Sequence, residues 1–401
     1  MDRQELETMR FSFEKMNKRR LKNQSNSKIN KQREKVKKIR KNSVENRNSL
    51  INLAKTNLEG NGIEYFFAKD SEEACKLIYD IIKDEEVVVK AKSNTLREIN
   101  LNSFLDSKNI SIIETDLGDR ILQLNPLNHK PSHPTGPISH FNIKKIQKII
   151  FDEFGEEISD NPFEIMEYIK SNVLENIEKS NVGISGANAI AAEDGSLIMV
   201  HNEGNISLLS LKDTHIIVAG IDKLVNTIEE AMAVVKLETI YATGTNVTSY
   251  INVISAPSKT ADIEKQLLKG MYGAKRVILI LLDNGRSNAL NECLLCIGCG
   301  NCLISCPVYN SVGNDFGYKG YLGGRGVAIS NFLEDGKISK NSGLYMCTLC
   351  GLCVLECPVS TPTPEIIEKI RFNVNQLGEQ LEVHEKIKEN IKSTGKPFEK
   401  H

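Results

Sequence analysis

Two cysteine segments constrain this chain more than anything else in it. Cys296, Cys299, Cys302 and Cys306 stand in C-x2-C-x2-C-x3-C-P order ahead of Pro307, and Cys347, Cys350, Cys353 and Cys357 repeat the spacing ahead of Pro358. Three cysteines within seven residues let one tight loop wrap three corners of an iron–sulfur cube. The intervening Gly298, Gly300 and Gly351 permit close backbone approach and can turn N–H groups toward sulfide. In two-cluster ferredoxins the fourth cysteine of such a run ligates the other cluster. The spacing therefore predicts two [4Fe–4S] clusters. Cys296, Cys299, Cys302 and Cys357 would hold one, and Cys347, Cys350, Cys353 and Cys306 the second. Zinc favours two CxxC pairs rather than a triple with a distant Cys-Pro. Of the ten cysteines, Cys75 lies on the apolar face of a helical pattern, and Cys293 reads as a small buried residue at a helix end.

The rest of the composition narrows the class. With 40% hydrophobic and 26% charged residues over 401 positions, the chain reads as globular, with two or three domains. No run approaches the roughly 18 apolar residues of a membrane span. The N-terminus has no apolar signal core. The reading is a cytoplasmic chain, whose thiols stay reduced and serve metals rather than disulfides. A net charge of −1 conceals an asymmetry, because residues 1–50 carry sixteen Lys/Arg against six Asp/Glu. A solvated helix is the plain reading of this basic arm, and a docking arm for an acidic partner is the functional one. Nucleic acid is not expected, since no aromatic side chains interleave the run from Lys31 to Lys41 and no binding motif is present. Met9, Phe13 and Met16, spaced i, i+4, i+7, give the arm one apolar face.

Between arm and cysteines, strands and helices alternate. β-prone runs occur at Ile63–Phe67, Glu86–Ala91, Ile110–Glu114, Ile198–His201, His215–Ala219, Ile251–Ile254 and Arg276–Leu282. Helical patterns cover Ser71–Lys83, Asn142–Phe154, Pro162–Glu178 and Val225–Val235. Alternation implies a largely parallel sheet faced by helices, and Asp194-Gly195 marks a hairpin. The turn-rich stretch Leu282–Asn291 is the expected domain boundary. The expected domains are a basic helical arm at residues 1–58, an α/β domain at 59–286, and a mostly helical two-[4Fe–4S] ferredoxin-like domain with a helical tail at 287–401.

Several segments, in this order, resemble the lactate-utilisation iron–sulfur proteins of the LutB type. VVVKAKSNTLREI at Val87–Ile99, IETDLGDRILQL at Ile113–Leu124, KPSHPTGPISHF at Lys130–Phe141 and GISGANAIAAEDGSLIMVHNEGN at Gly183–Asn205 are similar to their LUD-domain signature. The LLDNGRSNAL stretch, both cysteine segments and GYLGGRG between them continue the likeness, which spans roughly residues 30–370. The resemblance implies a NagB/RpiA/CoA-transferase-like α/β fold for the LUD domain. It also implies a part in L-lactate oxidation to pyruvate, or oxidation of a related 2-hydroxy acid, beside a cysteine-rich redox subunit and a smaller LUD-domain subunit.

Within the LUD domain the candidate small-molecule contacts are Lys90, Lys92, Ser93, His133, His140, Glu193, Glu203 and Asn205. Lys90, Lys92 and Ser93 would build a helix-start anion pocket, against the plain reading of edge lysines. His133 and His140 lie in a Pro/Gly-rich loop, while Glu193 is better read as a turn residue. No dinucleotide fingerprint, Walker loop or nucleophile triad is present. The expected function is an electron-transfer subunit, with a flavin or further cluster on a partner taking the two-electron step. An electron carrier of the heterodisulfide reductase type, and a redox-sensing or scaffold protein, are the rival readings.

Overall fold

A computed structural model describes residues 1–24, 27–125, 130–333, 342–378 and 381–398. Its central sheet uses β1 (Glu64–Ala68), β2 (Val87–Lys90), β3 (Ser111–Glu114) and β4 (Val182–Ser185). A second, smaller sheet is begun by β5 (Ala189–Ala191) and β6 (Ser196–His201). The chain continues through β7 (Thr214–Gly220), β8 (Leu224–Val225) and β9 (Tyr250–Ile254), then the short β10 (Lys259–Thr260) and β11 (Leu268–Lys269), to β12 (Arg276–Leu282). The central order is β1-β12-β7-β4-β2-β3 with every pairing parallel. Ile278, Ile280 and Leu282 face one core layer, and Leu279 and Leu281 the other. Burial on both faces is why these strands are continuous apolar runs.

All seven β-prone runs form strands, and Asp194-Gly195 does turn a hairpin, with Ala191 opposite Ser196. The hairpin joins β8 and β9 in the order β8-β5-β6-β9. The helix expected from Val225 begins later. Val225 closes a strand, Thr227 caps by accepting the Glu230 N–H at 3.3 Å, and the helix runs Ile228–Thr243.

The basic arm is a packed part of the molecule rather than a free tail. It forms α1 (Arg3–Gln24), α2 (Ser27–Glu45) and α3 (Arg47–Gly60). Met9 and Phe13 enter the C-terminal core, where Phe13 stacks on Tyr309 with centroids 6.2 Å apart. Ile29, Val36 and Ile39 of α2 join the core around the Ile228–Thr243 helix, while Lys35, Lys37 and Lys38 stay exposed. Three arginines turn inward. Arg20 pairs with Glu356 at 2.9 Å, Arg33 donates to the Cys357 carbonyl at 3.1 Å, and Arg40 donates to the Leu294 carbonyl at 2.6 Å. The arm's charge is thus partly spent on its own cysteine segments.

The expected linker is also a buried junction. Arg286, 2% exposed, forks onto Glu98 at 2.8 and 2.6 Å and gives Nε to Asp222 at 2.6 Å. The Tyr321 hydroxyl donates to the same Glu98 carboxylate at 2.6 Å. This network ties the LUD domain to the segment between the cysteine runs.

Candidate functional site

Each cysteine segment is a loop that runs into a short helix. Gly298, Gly300 and Gly351 take φ of 82°, 72° and 78°, a left-handed conformation that a side chain would strain. Gly300 is doubly required, since a Cβ there would lie 2.6 Å from His133 Nε2. Backbone N–H groups already point at sulfur. Gly298 donates to Cys296 Sγ, Tyr309 to Cys306 Sγ and Thr361 to Cys357 Sγ, each at 3.4 Å. Such donors stabilise thiolate charge.

The thiols fall into two groups that cross the segments. Burial raises the Cys299 thiol above its ordinary pKa, and Cys357 and Cys296 add to the effect. Burial likewise raises Cys306, against the Tyr309 and Val308 N–H groups, and its thiol neighbours are Cys347 and Cys350 of the other segment. Cys353 is pushed up to about 11 by burial, with Cys347, Cys306 and Cys350 around it. A cavity bordered by Cys306, Cys347, Cys350 and Cys353, and also by Cys302 of the first segment, lies at the second group. Among the described residues, no three His, Cys, Asp or Glu side chains are set to hold a single metal ion. Thiols gathered around a cavity, with backbone N–H groups aimed at sulfur, fit a cluster. Cys293 and Cys75 stand apart: Cys293 is fully buried in the C-terminal core, and Cys75 donates to the Ile99 carbonyl at 3.3 Å.

A cavity of about 320 Å³ lies between the LUD domain and the first cysteine segment. Its LUD wall is built from Lys92 to Thr95, just past β2, and Gly186 to Asn188, just past β4. Its opposite wall includes Cys296, Gly298, Gly300 and Cys302. Of the candidate contacts, it brings together Lys92, Ser93, Glu203 and Asn205. Lys92 is held by Asp116 at 2.6 Å, Ser93 caps a helix by accepting the Leu96 N–H at 3.3 Å, and Asn205 donates to Thr115 at 3.2 Å. Glu203 stands exposed at the mouth and accepts the Leu117 N–H at 3.0 Å. Partial burial, then the Asp116 carboxylate, hold its pKa above the carboxylate range.

The other four candidates lie elsewhere. β2 is an inner strand, so Lys90 is no edge lysine; it is buried against Glu114 at 2.6 Å. His133 accepts the Thr135 N–H at 3.2 Å behind Gly300, and His140 pairs with Ser132 at 3.0 Å. Glu193 is exposed at the hairpin. The cavity also gathers Asn188 and Arg325, which lie inside the quoted segments without having been singled out, and Lys223 and Glu238, which no motif marked. Arg325 carried one signal, a lone charge inside a glycine run, GGRG. No helix among the described residues is long and apolar enough to cross a membrane.

Comparison with known proteins agrees with this architecture. Residues 51–282 match the LUD domain, and residues 292–361 the 4Fe-4S dicluster domain. Lactate utilization protein B of Bacillus cereus (strain AH820) is 32% identical over 364 residues, covering 89% of this chain and 74% of that protein. The Bacillus thuringiensis (strain Al Hakam) protein of the same name is likewise 32% identical over the same shares. A solved DUF162 family protein from Deinococcus radiodurans covers 59% of this chain and 98% of its own, with 13% identity and a TM-score of 0.31. With its LUD domain followed by a dicluster domain, the chain belongs to the lactate utilization protein B family of iron–sulfur proteins.

Proposed function

We propose that this chain is the electron-transfer member of a lactate-oxidising system and carries two [4Fe–4S] clusters. The first is assigned to Cys296, Cys299, Cys302 and Cys357, and the second to Cys347, Cys350, Cys353 and Cys306. One observation carries the reading: Cys306 neighbours Cys347 and Cys350, while Cys299 neighbours Cys357. Each Cys-Pro turn sends its thiol to the other segment, which supports two clusters closed by shared loops rather than two separate ones. Cys302 also has Cys353 among its neighbours, so the two thiol groups adjoin. Bound clusters would supply one-electron steps. The protein's own part is to bury the thiols, aim N–H groups at them, and keep the two groups in series. Substrate oxidation removes two electrons together, so a cysteine-rich subunit and a smaller LUD-domain subunit are the expected partners, one of them bearing a flavin or a further cluster.

The reading is tested on anaerobically purified protein, which should contain about eight iron and eight acid-labile sulfide per chain. Lactate should reduce it only when the partners are present. Cys306→Ala should damage the same cluster as Cys350→Ala, and Cys357→Ala the same cluster as Cys299→Ala, as read by electron paramagnetic resonance. A Cys306→Ala spectrum matching that of Cys299→Ala would mean that each segment closes its own cluster. Full reduction by lactate without partners would remove the electron-carrier role.

A further inference from the structure

The position of the 320 Å³ cavity follows from topology. From β2 the chain passes to β3 on one side, and from β4 it passes to β7 on the other. The crevice between the ends of β2 and β4 is therefore a switch point, where open parallel sheets bind ligands. Here the crevice does not open to solvent alone, because the first cysteine segment closes it. A molecule bound in it would rest against Cys296 and Cys302.

The lining shows what chemistry the cavity suits. Most of its charges are already matched: Lys92 by Asp116, and Arg286 by Glu98 and Asp222. Glu238 accepts both contacts from the Asn188 amide at 3.1 Å. Arg325 differs. It gives one N–H to the Cys293 carbonyl, while its Nε and Nη1 are buried with no hydrogen-bond partner among the described residues. Lys223, also in the lining, has the Asp222 carboxylate at 3.9 Å and the Glu238 carboxylate as a second neighbouring charge. A buried guanidinium with two unused donors, and an ammonium in the same lining, suit a carboxylate, which a guanidinium grips with a fork of N–H groups. Glu203 lies in the same lining, where it accepts the Leu117 N–H, and its carboxylate is placed to exchange a hydrogen bond with a hydroxyl or oxo group. The volume is ample for a small organic acid.

We propose that this cavity is a small-carboxylate site, in which Arg325 and Lys223 hold the carboxylate of a hydroxy or oxo acid against the first cysteine segment. The proposal rests on the electron-transfer reading and adds to it: this chain, not only a partner, would contact the organic acid.

The experiment uses cluster-loaded full-length protein under anaerobic conditions. Pyruvate is titrated by calorimetry, with its neutral methyl ester as control. The dithionite-reduced protein is followed by electron paramagnetic resonance, with and without pyruvate. Pyruvate, but not the ester, should bind and alter the signal of the cluster assigned to Cys296, Cys299, Cys302 and Cys357. Arg325→Met should weaken binding on the order of tenfold or more. If that variant loses iron, Lys223→Met asks the same question from outside the cysteine segment and should also weaken binding. No binding by protein with full iron content would overturn the site while leaving the electron-transfer reading intact. Equal binding of acid and ester would overturn it too. So would unchanged affinity in both variants, which would leave Arg325 as a charge serving only the cysteines it borders. Absence of the clusters themselves would instead remove the reading beneath it.

Discussion

The two main regions of this molecule hold their polar chemistry in opposite ways. In the C-terminal region eight cysteines occupy two short segments, and turns beside them point N–H groups at sulfur over two to four residues. In the LUD region the groups that meet come from far along the chain. Glu98 meets Arg286 across 188 residues and Asn205 meets Thr115 across 90. The first kind of site is written in spacing and survives as a motif. The second exists only once strand order has put distant loops side by side. The junction between the regions is of the second kind, and so is the cavity that opens onto the first.

The contrast is sharpest at Arg286. If the junction is a true buried network, Arg286→Leu leaves the fully buried Glu98 carboxylate without its cation. Breaking a buried pair in this way costs about 3–5 kcal/mol. Denaturant unfolding of the loaded protein should show that loss. Adding Glu98→Gln should restore part of it, because the stranded charge is then gone. A loss below about 1 kcal/mol would mean that the turn-rich stretch behaves as an ordinary linker.

What could be read in advance follows the same division. The cysteine spacing, the seven strands and the Asp194-Gly195 hairpin were legible because each rests on neighbours within a few residues. β4 and β5 were not, since Val182–Ser185 and Ala189–Ala191 are too short and too rich in small residues to show a period. Lys92 and Glu203 could be nominated from local turn chemistry, but nothing local separates them from Lys90 or Glu193, which the sheet sends elsewhere. Arg40 and Arg20 looked like members of a charge run. The backbone carbonyls of Leu294, Leu295 and Asp222 and the Glu356 carboxylate, distant in the chain, give them inward partners.

The arm allows both behaviours to be compared within one helix pair. Phe13 is 2% exposed between His133 and Tyr309, so Phe13→Ala should cost about 3–4 kcal/mol through the cavity it leaves. Lys37→Ala and Lys38→Ala, on the solvent face, should each fall within about 0.5 kcal/mol of the parent. Equal effects at both faces, measured as unfolding midpoints, would return the arm to the status of a solvated appendage.

The smallest effect is also the most local, and it concerns acid. Burial drives the imidazoles of His133, His140 and His215 down to about 4. His215 lies inside the LUD sheet with Nε2 2.8 Å from Ser185 Oγ, and His133 lies against the cysteine loop behind Gly300. In an unfolded chain each would take a proton near pH 6.5, whereas the folded protein resists until about 4. Because the folded value is the lower one, the unfolded state binds more protons across this interval. Stability is therefore complete above about pH 6.5 and declines as the pH falls toward 4. Each histidine contributes a slope approaching 1.4 kcal/mol per pH unit. Replacing His215 by Gln removes one such group from the sheet, and the slope between pH 6 and 5 should flatten by about that amount whatever the variant does to stability at neutral pH. His133→Gln should flatten it as well, and should in addition disturb the spectrum of the clusters through Gly300. If His215→Gln disturbs that spectrum equally, the separation drawn between a topologically built domain and a locally built one fails at the residue where it is easiest to measure.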